Sequence, residues 1–378
     1  MAMIFIVGIP VICLLIYTGF VIMNGWVFAN IKEPKAVLVK EIPFISVIIP
    51  ARNEEKSIAS CLKSVLNQSW PVDRFEVILI NDHSTDVTRE IALGIAEENP
   101  NLMVLDLELE GINSYKKAAL TLGISRSKGE IILQTDADCL VHTNWIQTIA
   151  RYFDTHTALV SGPIQLDYRN HWFEKFQALE SMGLVVLGAG SMMRGKPNMV
   201  NGANMAFRKS VFEEINGYEG IDGVASGDDE LLLQKIHRLG KYELTFARSR
   251  DAIVHTRAVS DWGSFKSQRL RWVSKARAYY DKRVNMIQLI SYLGFWAFPL
   301  LIFFAFFQPF YLGLFFLLIL CKIIADYYLM YKAAGFFHKL HLLIYVIPLQ
   351  VVYIPYVIWI GIAGNLVKNY SWKGRRIQ

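Results

Sequence analysis

An α/β domain with a mainly parallel sheet, held between apolar ends that belong in a membrane, is the fold class this sequence predicts. Three observations carry the prediction. From residue 45 to 135, β-branched apolar runs alternate with amphipathic helical stretches, the pattern of βα units around a parallel sheet. Of the 72 charges in 378 residues, 64 lie between residues 31 and 286, which gives that segment the charge density of an ordinary soluble domain. Residues 1–30 carry no charge, and residues 287–367 carry four. A wholly soluble enzyme and a polytopic channel are both excluded.

The elements follow in chain order. Residues 3–23 are apolar for about the 20 residues a spanning helix needs. A cleaved signal peptide fits less well, because no basic residue precedes the run and no small-residue cleavage site follows it. Lys32, Lys35 and Lys40 come next, and the positive-inside rule then puts the N-terminus outside and residue 31 onward in the cytoplasm. The first strand is Ile45–Pro50, a run suited to burial on both faces. A polar loop, Ala51 to Glu55, leads to a helix with apolar positions at Ile58, Leu62, Val65 and Leu66. Strand 75–80 ends in the polar run 81–86 and is followed by a helix over 87–98. Strand 102–106, helix 115–126 and strand 130–135 complete the alternation.

The C-terminal part predicts three membrane-embedded runs, at 287–307, 309–330 and 341–364. Lys322 and Asp326 sit one helical turn apart in the second, where charge is costly, so pairing or an interfacial position is expected. Three crossings from a cytoplasmic domain would leave the basic tail 368–378 outside, against the positive-inside rule. One run is therefore expected to be re-entrant or interfacial, and the last, with Pro348 and Pro355, is the candidate.

Composition narrows the function classes. The net charge of +6 comes from the C-terminal part, since residues 31–286 hold 32 basic and 32 acidic side chains. A neutral soluble domain argues against a nucleic-acid partner, whereas basic residues beside apolar spans read as membrane anchors. The four cysteines form no CxxC pair, so neither a zinc site nor a disulfide framework is indicated, and a reducing compartment fits. The first strand is followed by Pro-Ala-Arg-Asn-Glu-Glu rather than GxGxxG, which argues against a nicotinamide or flavin enzyme.

Ligands of parallel sheets bind beyond the carboxyl ends of the strands, and the polar clusters lie there. Asp136 and Asp138 follow a buried strand, and two carboxylates on such a turn suit Mg²⁺ or Mn²⁺. Gly227-Asp228-Asp229-Glu230 precedes the apolar helix 231–239. Its acids can cap that helix and also supply a general base. Residues 248–283 hold ten basic and three acidic side chains, with Trp262, Phe265, Trp272, Ala276 and Tyr279 at helical steps. That pattern predicts a basic amphipathic helix in the membrane interface. Arg and Trp together there suit a diphosphate and a ring to stack on.

In this order, several segments are similar to membrane-bound family 2 glycosyltransferases: SVIIPARNEE, NDHSTD at 81–86, KKAALTLGI at 116–124, TDAD at 135–138, NGANMAFRK at 201–209, SGDDELLLQKI at 226–236 and QRLRW at 268–272. The resemblance covers most of 45–272. It implies a GT-A fold, a nucleotide-sugar donor, a divalent metal and inversion at the anomeric carbon. By motif position, Asp82 would bind the nucleotide base, with Pro50, Arg52 and Glu54 nearby, and Lys117 would lie near the donor. Asp136 would lie toward the sugar or ribose, and Asp138 would hold the metal beside the diphosphate. Asp229 would be the general base, with Asp228 where the family more often has Glu. Gln268, Arg271 and Trp272 match QxxRW and would contact the diphosphate and the acceptor. His255 is expected to be structural rather than a metal ligand.

The chain then divides into an N-terminal membrane helix (1–30), a cytosolic GT-A domain (31–260), an interfacial helix (261–286), C-terminal membrane helices (287–367) and a basic tail (368–378). The expected activity is transfer of a sugar to a lipid or lipid-linked acceptor at the inner leaflet of the cytoplasmic membrane. UDP-sugars are the expected donors, and GDP-sugars stay open. A processive polysaccharide synthase is the alternative. A non-catalytic membrane binding or transport protein would need none of the three acidic clusters.

Overall fold

The computed structural model describes residues 2–34, 42–366, 370–372 and 375–377. Lys35 and Lys40, two of the lysines behind the membrane orientation, and Lys368 and Lys373 of the tail lie outside the described residues. The elements run α1 (Ala2–Ala29), β1 (Ile45–Ala51), α2 (Ile58–Leu66), β2 (Phe75–Asn81), α3 (Thr88–Glu98), β3 (Leu102–Asp106), α4 (Tyr115–Arg126), β4 (Ile131–Gln134), β5 (Leu140–Val141), α5 (Trp145–Ala150), β6 (Thr157–Ser161), β7 (Ile164–Asp167), α6 (Trp172–Met193), β8 (Met205–Arg208) and α7 (Lys209–Glu214). They continue with α8 (Glu230–Arg238), β9 (Glu243–Phe246), β10 (Val254–Arg257), α9 (Trp262–Ser274), α10 (Lys282–Phe295), α11 (Ala297–Ala305), α12 (Phe310–Phe336), α13 (Gln350–Leu366), β11 (Tyr370–Trp372) and β12 (Arg375–Ile377).

Because β1 and β2 are apolar at nearly every position, they can be covered on both sides. Ile45, Val47 and Ile49 face α2, where Ile58, Leu62 and Val65 are buried. Ile48, Ile78 and Ile80 face α4, against Leu120 and Ile124. Each such side chain contributes roughly 1.5–3 kcal/mol on burial. The main sheet has the order β3-β2-β1-β4-β8-β6-β9. Its first four strands are parallel. β8 runs antiparallel to β4 and β6, and β9 runs parallel to β6. The reversal of β8 matters for the site, because its first residues, not its last, arrive at the carboxyl edge of β4. A small sheet, β5-β10-β7, sits beside that edge.

Among the described residues, four helices are long and apolar enough to cross a membrane: residues 6–29, 172–193, 282–305 and 310–336. α1 packs on α10, α12 and α6. The carboxyl end of α1 meets the catalytic domain, where Arg248 donates to Ile31 O. The carboxyl end of α12 does the same through Arg250 and Phe336 O. α10 starts from it, with Gln234 Oε1 accepting from the Tyr280 and Asp281 N–H groups. The run expected at 287–307 is α10 and α11 together, and it begins five residues earlier.

The second apolar helix, α6, was not read as an element from the sequence. It packs on β7 and β9 of the α/β domain, where Thr245 reaches Met193, and on α1 and α12. The last apolar run holds a shorter apolar helix, residues 350–364. Its 3₁₀ turn at 340–345 is tied to the domain by Tyr168–His341 and Lys175–Tyr345. Its far end lies with Gly364 against Val273 of α9, and β11 packs on α9 as well. The expected interfacial helix 261–286 is divided into α9, a 3₁₀ turn at 275–278, and the start of α10.

Candidate active site

The loops after β1 and β2 are tied to each other. Arg52 Nη1 donates to the carbonyls of Asp82 (2.8 Å) and His83 (2.9 Å). Thr85 N–H donates to Asn53 Oδ1, and Glu54 N–H to Thr88 Oγ1. Asn53 and His83 hold left-handed backbones, with φ of 50° and 51°. Such conformations cost about 1–2 kcal/mol for most residues and persist where surrounding bonds hold them. Asp82 is buried beneath this clamp, its Oδ1 3.0 Å from His83 Nδ1.

Beyond β4, Asp136 and Asp138 project from one turn. Asp136 Oδ1 lies 2.8 Å from Lys116 Nζ, and the same ammonium lies 3.1 Å from Asp228 Oδ2. Burial alone would depress the Lys116 ammonium, but Asp136 and Asp228 outweigh it and push the group well above its ordinary value. Burial likewise pushes the Asp228 carboxyl up, but Lys116 and the Gln134 amide bring it below the usual carboxylate range. Lys117 is placed elsewhere. Its Nζ donates to the carbonyls of Ile221 (2.7 Å), Val224 (2.6 Å) and Ser226 (3.0 Å), so it pins the loop before Asp228 instead of facing a donor.

Asp229 caps α8. Its Oδ1 accepts from Glu230 N–H at 2.7 Å and its Oδ2 from Gly202 N–H at 3.1 Å. Gly202 is required there, since a Cβ would stand 2.9 Å from Gln134 Nε2 and 3.0 Å from Asp228 Oδ2. Lys275 reaches back from the turn after α9, 3.6 Å from Asp229 and 3.1 Å from Glu230. Glu230 is also hydrogen-bonded by the Tyr279 hydroxyl. Burial raises the Glu230 carboxyl above its ordinary value despite Lys275.

On α9, Arg269 is turned inward. It is buried in an ion pair with Glu180, donates to Tyr356 OH, and lies over the Trp272 ring at 4.1 Å. Arg271 faces the other way, and its buried Nε has no hydrogen-bond partner among the described residues. A single cavity of about 840 Å³ gathers Pro50, Arg52, Glu54, Asp82, Asp136, Asp138, Asp228, Asp229, Gln268, Arg271 and Trp272. Lys116 and Lys275 also line it; Lys117 does not. His255 stands aside, its Nδ1 3.0 Å from Asp167, while its neighbour Thr256 donates to Asp138 Oδ2.

The donor set can be tested for a metal. Among the described residues no group of three or more His, Cys, Asp or Glu gathers around an ion position. Asp136 and Asp138 offer hard oxygens without a closed cage. Mg²⁺ and Mn²⁺ are commonly held by one or two carboxylates together with substrate phosphates, so the pair fits such an ion. The neighbouring Cys139 thiol is pushed up by burial and by Asp138.

The description "Glycosyl transferase family 2" matches residues 46–215, and "Glycosyl transferase family group 2" matches residues 131–363, more than half of the chain. The chain belongs to glycosyltransferase family 2. It is 30% identical over 213 residues to glycosyltransferase AglE of Haloferax volcanii, a match covering 56% of this chain and 66% of that protein. It is 33% identical over 129 residues to a β-monoglucosyldiacylglycerol synthase of Nostoc sp., covering 34% and 27% respectively. The chain thus spans less than two thirds of either relative. In structure it resembles mannosyltransferase PcManGT of Pyrobaculum calidifontis, solved with GDP-mannose and Mn²⁺, at 20% identity and a TM-score of 0.57, over 87% of this chain and 98% of that one. The glycosyltransferase therefore has the GT-A fold, joined to membrane-type helices, and is a transferase enzyme.

Sequence reasoning missed Lys116, Lys275 and Thr256. For Lys116 the periodicity of α4 could not decide, because Lys116 and Lys117 both border the buried face formed by Ala119, Leu120, Gly123 and Ile124. Only the position of α4 relative to β4 and α8 chooses between them.

Proposed function

We propose that this glycosyltransferase moves one sugar from a nucleotide-sugar donor, a UDP-sugar first, to a hydroxyl of a lipid or lipid-linked acceptor at the cytoplasmic face of the membrane. The carrying observation is the continuity of one cavity from Asp82 past Asp138 and Asp229 to Phe20, Leu184 and Phe295 of the membrane-side helices. In this reading the clamp of Arg52 and Asp82 holds the nucleotide, and Asp136 and Asp138 hold a Mg²⁺ or Mn²⁺. When bound, that ion supplies Lewis-acid neutralisation of diphosphate charge. Arg271 stabilises the same charge as it develops on the leaving group.

Asp229 is the general base. The acceptor oxygen forms its bond to the anomeric carbon while the bond from that carbon to the phosphate oxygen breaks. The hydroxyl proton passes to Asp229, and the bonding pair leaves with the nucleoside diphosphate. A single displacement inverts the carbon. The two N–H groups on Asp229 orient its carboxylate, and the Lys275 ammonium lies 3.6 Å from it.

Purified protein with Mn²⁺ or Mg²⁺, a membrane lipid extract and labelled UDP- and GDP-sugars tests the reading. Label in the organic phase that disappears in Asp138→Ala and Asp229→Asn supports it. Transfer unaffected by Asp229→Asn removes the base assignment. A processive polysaccharide synthase is the second reading, favoured by the extension of the cavity between membrane-side helices. It is identified by a ladder of products where the first reading gives a single addition.

A further inference from the structure

The cavity continues beyond Asp229, and its wall there has an unusual character. α10 belongs to an apolar stretch of 24 residues, 282–305. Yet it brings Asn285, Gln288 and Tyr292 to the cavity at steps of three and four residues, with Ser291 beside them. These positions share one helix face. Ser181 of α6 lines the same space. Amide and hydroxyl groups on a mostly apolar helix are costly unless they meet water or a polar ligand. A row of them along one face therefore marks a polar compartment.

The chemistry of the compartment selects its occupant. All five groups are uncharged, so none of them would form an ion pair with a phosphate; the charged lining of the cavity is elsewhere, in Arg271 and Lys275 with the carboxylates Asp228, Asp229 and Glu230. An acyl chain would leave the amides and hydroxyls without partners. A sugar ring has hydroxyl edges for these groups and apolar C–H faces for aromatic rings, and two such rings, Trp272 and Tyr292, are present. The Tyr292 ring is held in the wall by Gly361 of α13, where a Cβ would come within 2.2 Å of it. Ser291 donates its proton to Ile287 O and so turns lone pairs outward. Gln288 reaches the Tyr279 hydroxyl that also bonds Glu230, which joins this face directly to the acidic cluster.

We propose that this strip is a subsite for a sugar ring of the acceptor, so that the enzyme extends an acceptor that is already glycosylated. The inference rests on the reading of Asp229 as the acceptor-side base. The test uses full-length protein in phosphatidylcholine nanodiscs, labelled UDP-glucose, UDP-N-acetylglucosamine and GDP-mannose, and a panel of octyl glycosides, octanol, dioleoylglycerol and undecaprenyl phosphate.

Transfer to at least one octyl glycoside is expected to exceed transfer to the sugar-free acceptors by about tenfold or more, the scale of one tenth-power step in affinity. Gln288→Leu, and independently Ser181→Leu, should raise KM for that glycoside about tenfold with kcat within about twofold, the signature of lost ground-state binding. Met286→Leu, outside the cavity lining, should behave as wild type. Equal or faster transfer to octanol, dioleoylglycerol or undecaprenyl phosphate overturns the proposal, as does an unchanged KM in both variants. Failure of the underlying reading looks different. It would show as no release of nucleoside diphosphate from any donor, or as full transfer by Asp229→Asn, and either overturns both.

Discussion

Two lysines, each paired with aspartate, sit in the two halves of this enzyme, Lys116 half-buried and Lys322 fully buried. Lys116 joins Asp136 to Asp228 across the catalytic cavity. Lys322 joins Asp326 and Gln350 between α12 and α13, with Tyr17 of α1 completing the group and the rings of Phe295 and Tyr353 close to the ammonium. The chemistry is similar but the surroundings are not. Lys116 lines the site, and its carboxylate partners are the ones a donor and a metal would meet. Lys322 is fully buried, and every polar neighbour it has comes from the helices themselves. The first cluster lines the large cavity; the second fastens α13 to α12 and α1. Burial of an ion pair therefore says little about function until one asks what else can reach it.

Four substitutions break or sharpen this comparison. The largest effect is expected at the acid beside the first cluster: Asp229→Asn should lower kcat by about 10²–10⁴-fold, the usual loss for a general base, while donor binding measured by nucleotide titration persists. Next, Lys322→Met leaves Asp326 buried without its cation and should cost about 3–5 kcal/mol of stability. The double variant Lys322→Met/Asp326→Leu should recover most of it, as read by thermal midpoints in detergent. At the cavity the corresponding repair should fail. Lys116→Met is expected to reduce kcat/KM by about 10–100-fold, or roughly 1.4–2.7 kcal/mol. Adding Asp136→Leu should deepen the loss, because Asp136 belongs to the donor side. Recovery of activity in that double variant would make the two clusters equivalent.

The fourth concerns pH. Burial raises the Glu230 carboxyl, so folding favours its protonated form relative to the unfolded chain. Its contribution to stability is present at low pH and lost as pH rises through the raised value. Lys275 offsets that loss by pairing with the charged form. Lys275→Met should therefore destabilise the protein more at pH 8 than at pH 5, which a series of thermal midpoints would show. An equal penalty at both pH values would mean that Lys275 serves Asp229 alone.

Much of the catalytic half was legible because its signals are local. Strand 102–106 and helix 115–126 match the observed β3 and α4 residue for residue, since apolar periodicity and flanking polar residues decide such elements. The acids after β1, β2 and β4 share an edge because parallel strands end on the same side. α6 escaped notice because its apolar face reads like part of a soluble core, and only its packing on β7, β9, α1 and α12 reveals its place. The choice of Lys116 over Lys117 escaped for a similar reason, as both are compatible with the helical pattern.

By itself, then, the sequence determined the α/β core, the apolar ends, the acidic clusters and the placing of Lys322 and Asp326 one turn apart. These depend on the covalent spacing of residues within one element. Tertiary structure decided which lysine enters the cavity, that β8 arrives reversed with Gly202 beside Asp229, that Lys275 returns to the acids, and that the last apolar run packs on α9. Each depends on how separate elements approach one another. That approach is set by the packing of side chains distant in the chain, which no local pattern encodes.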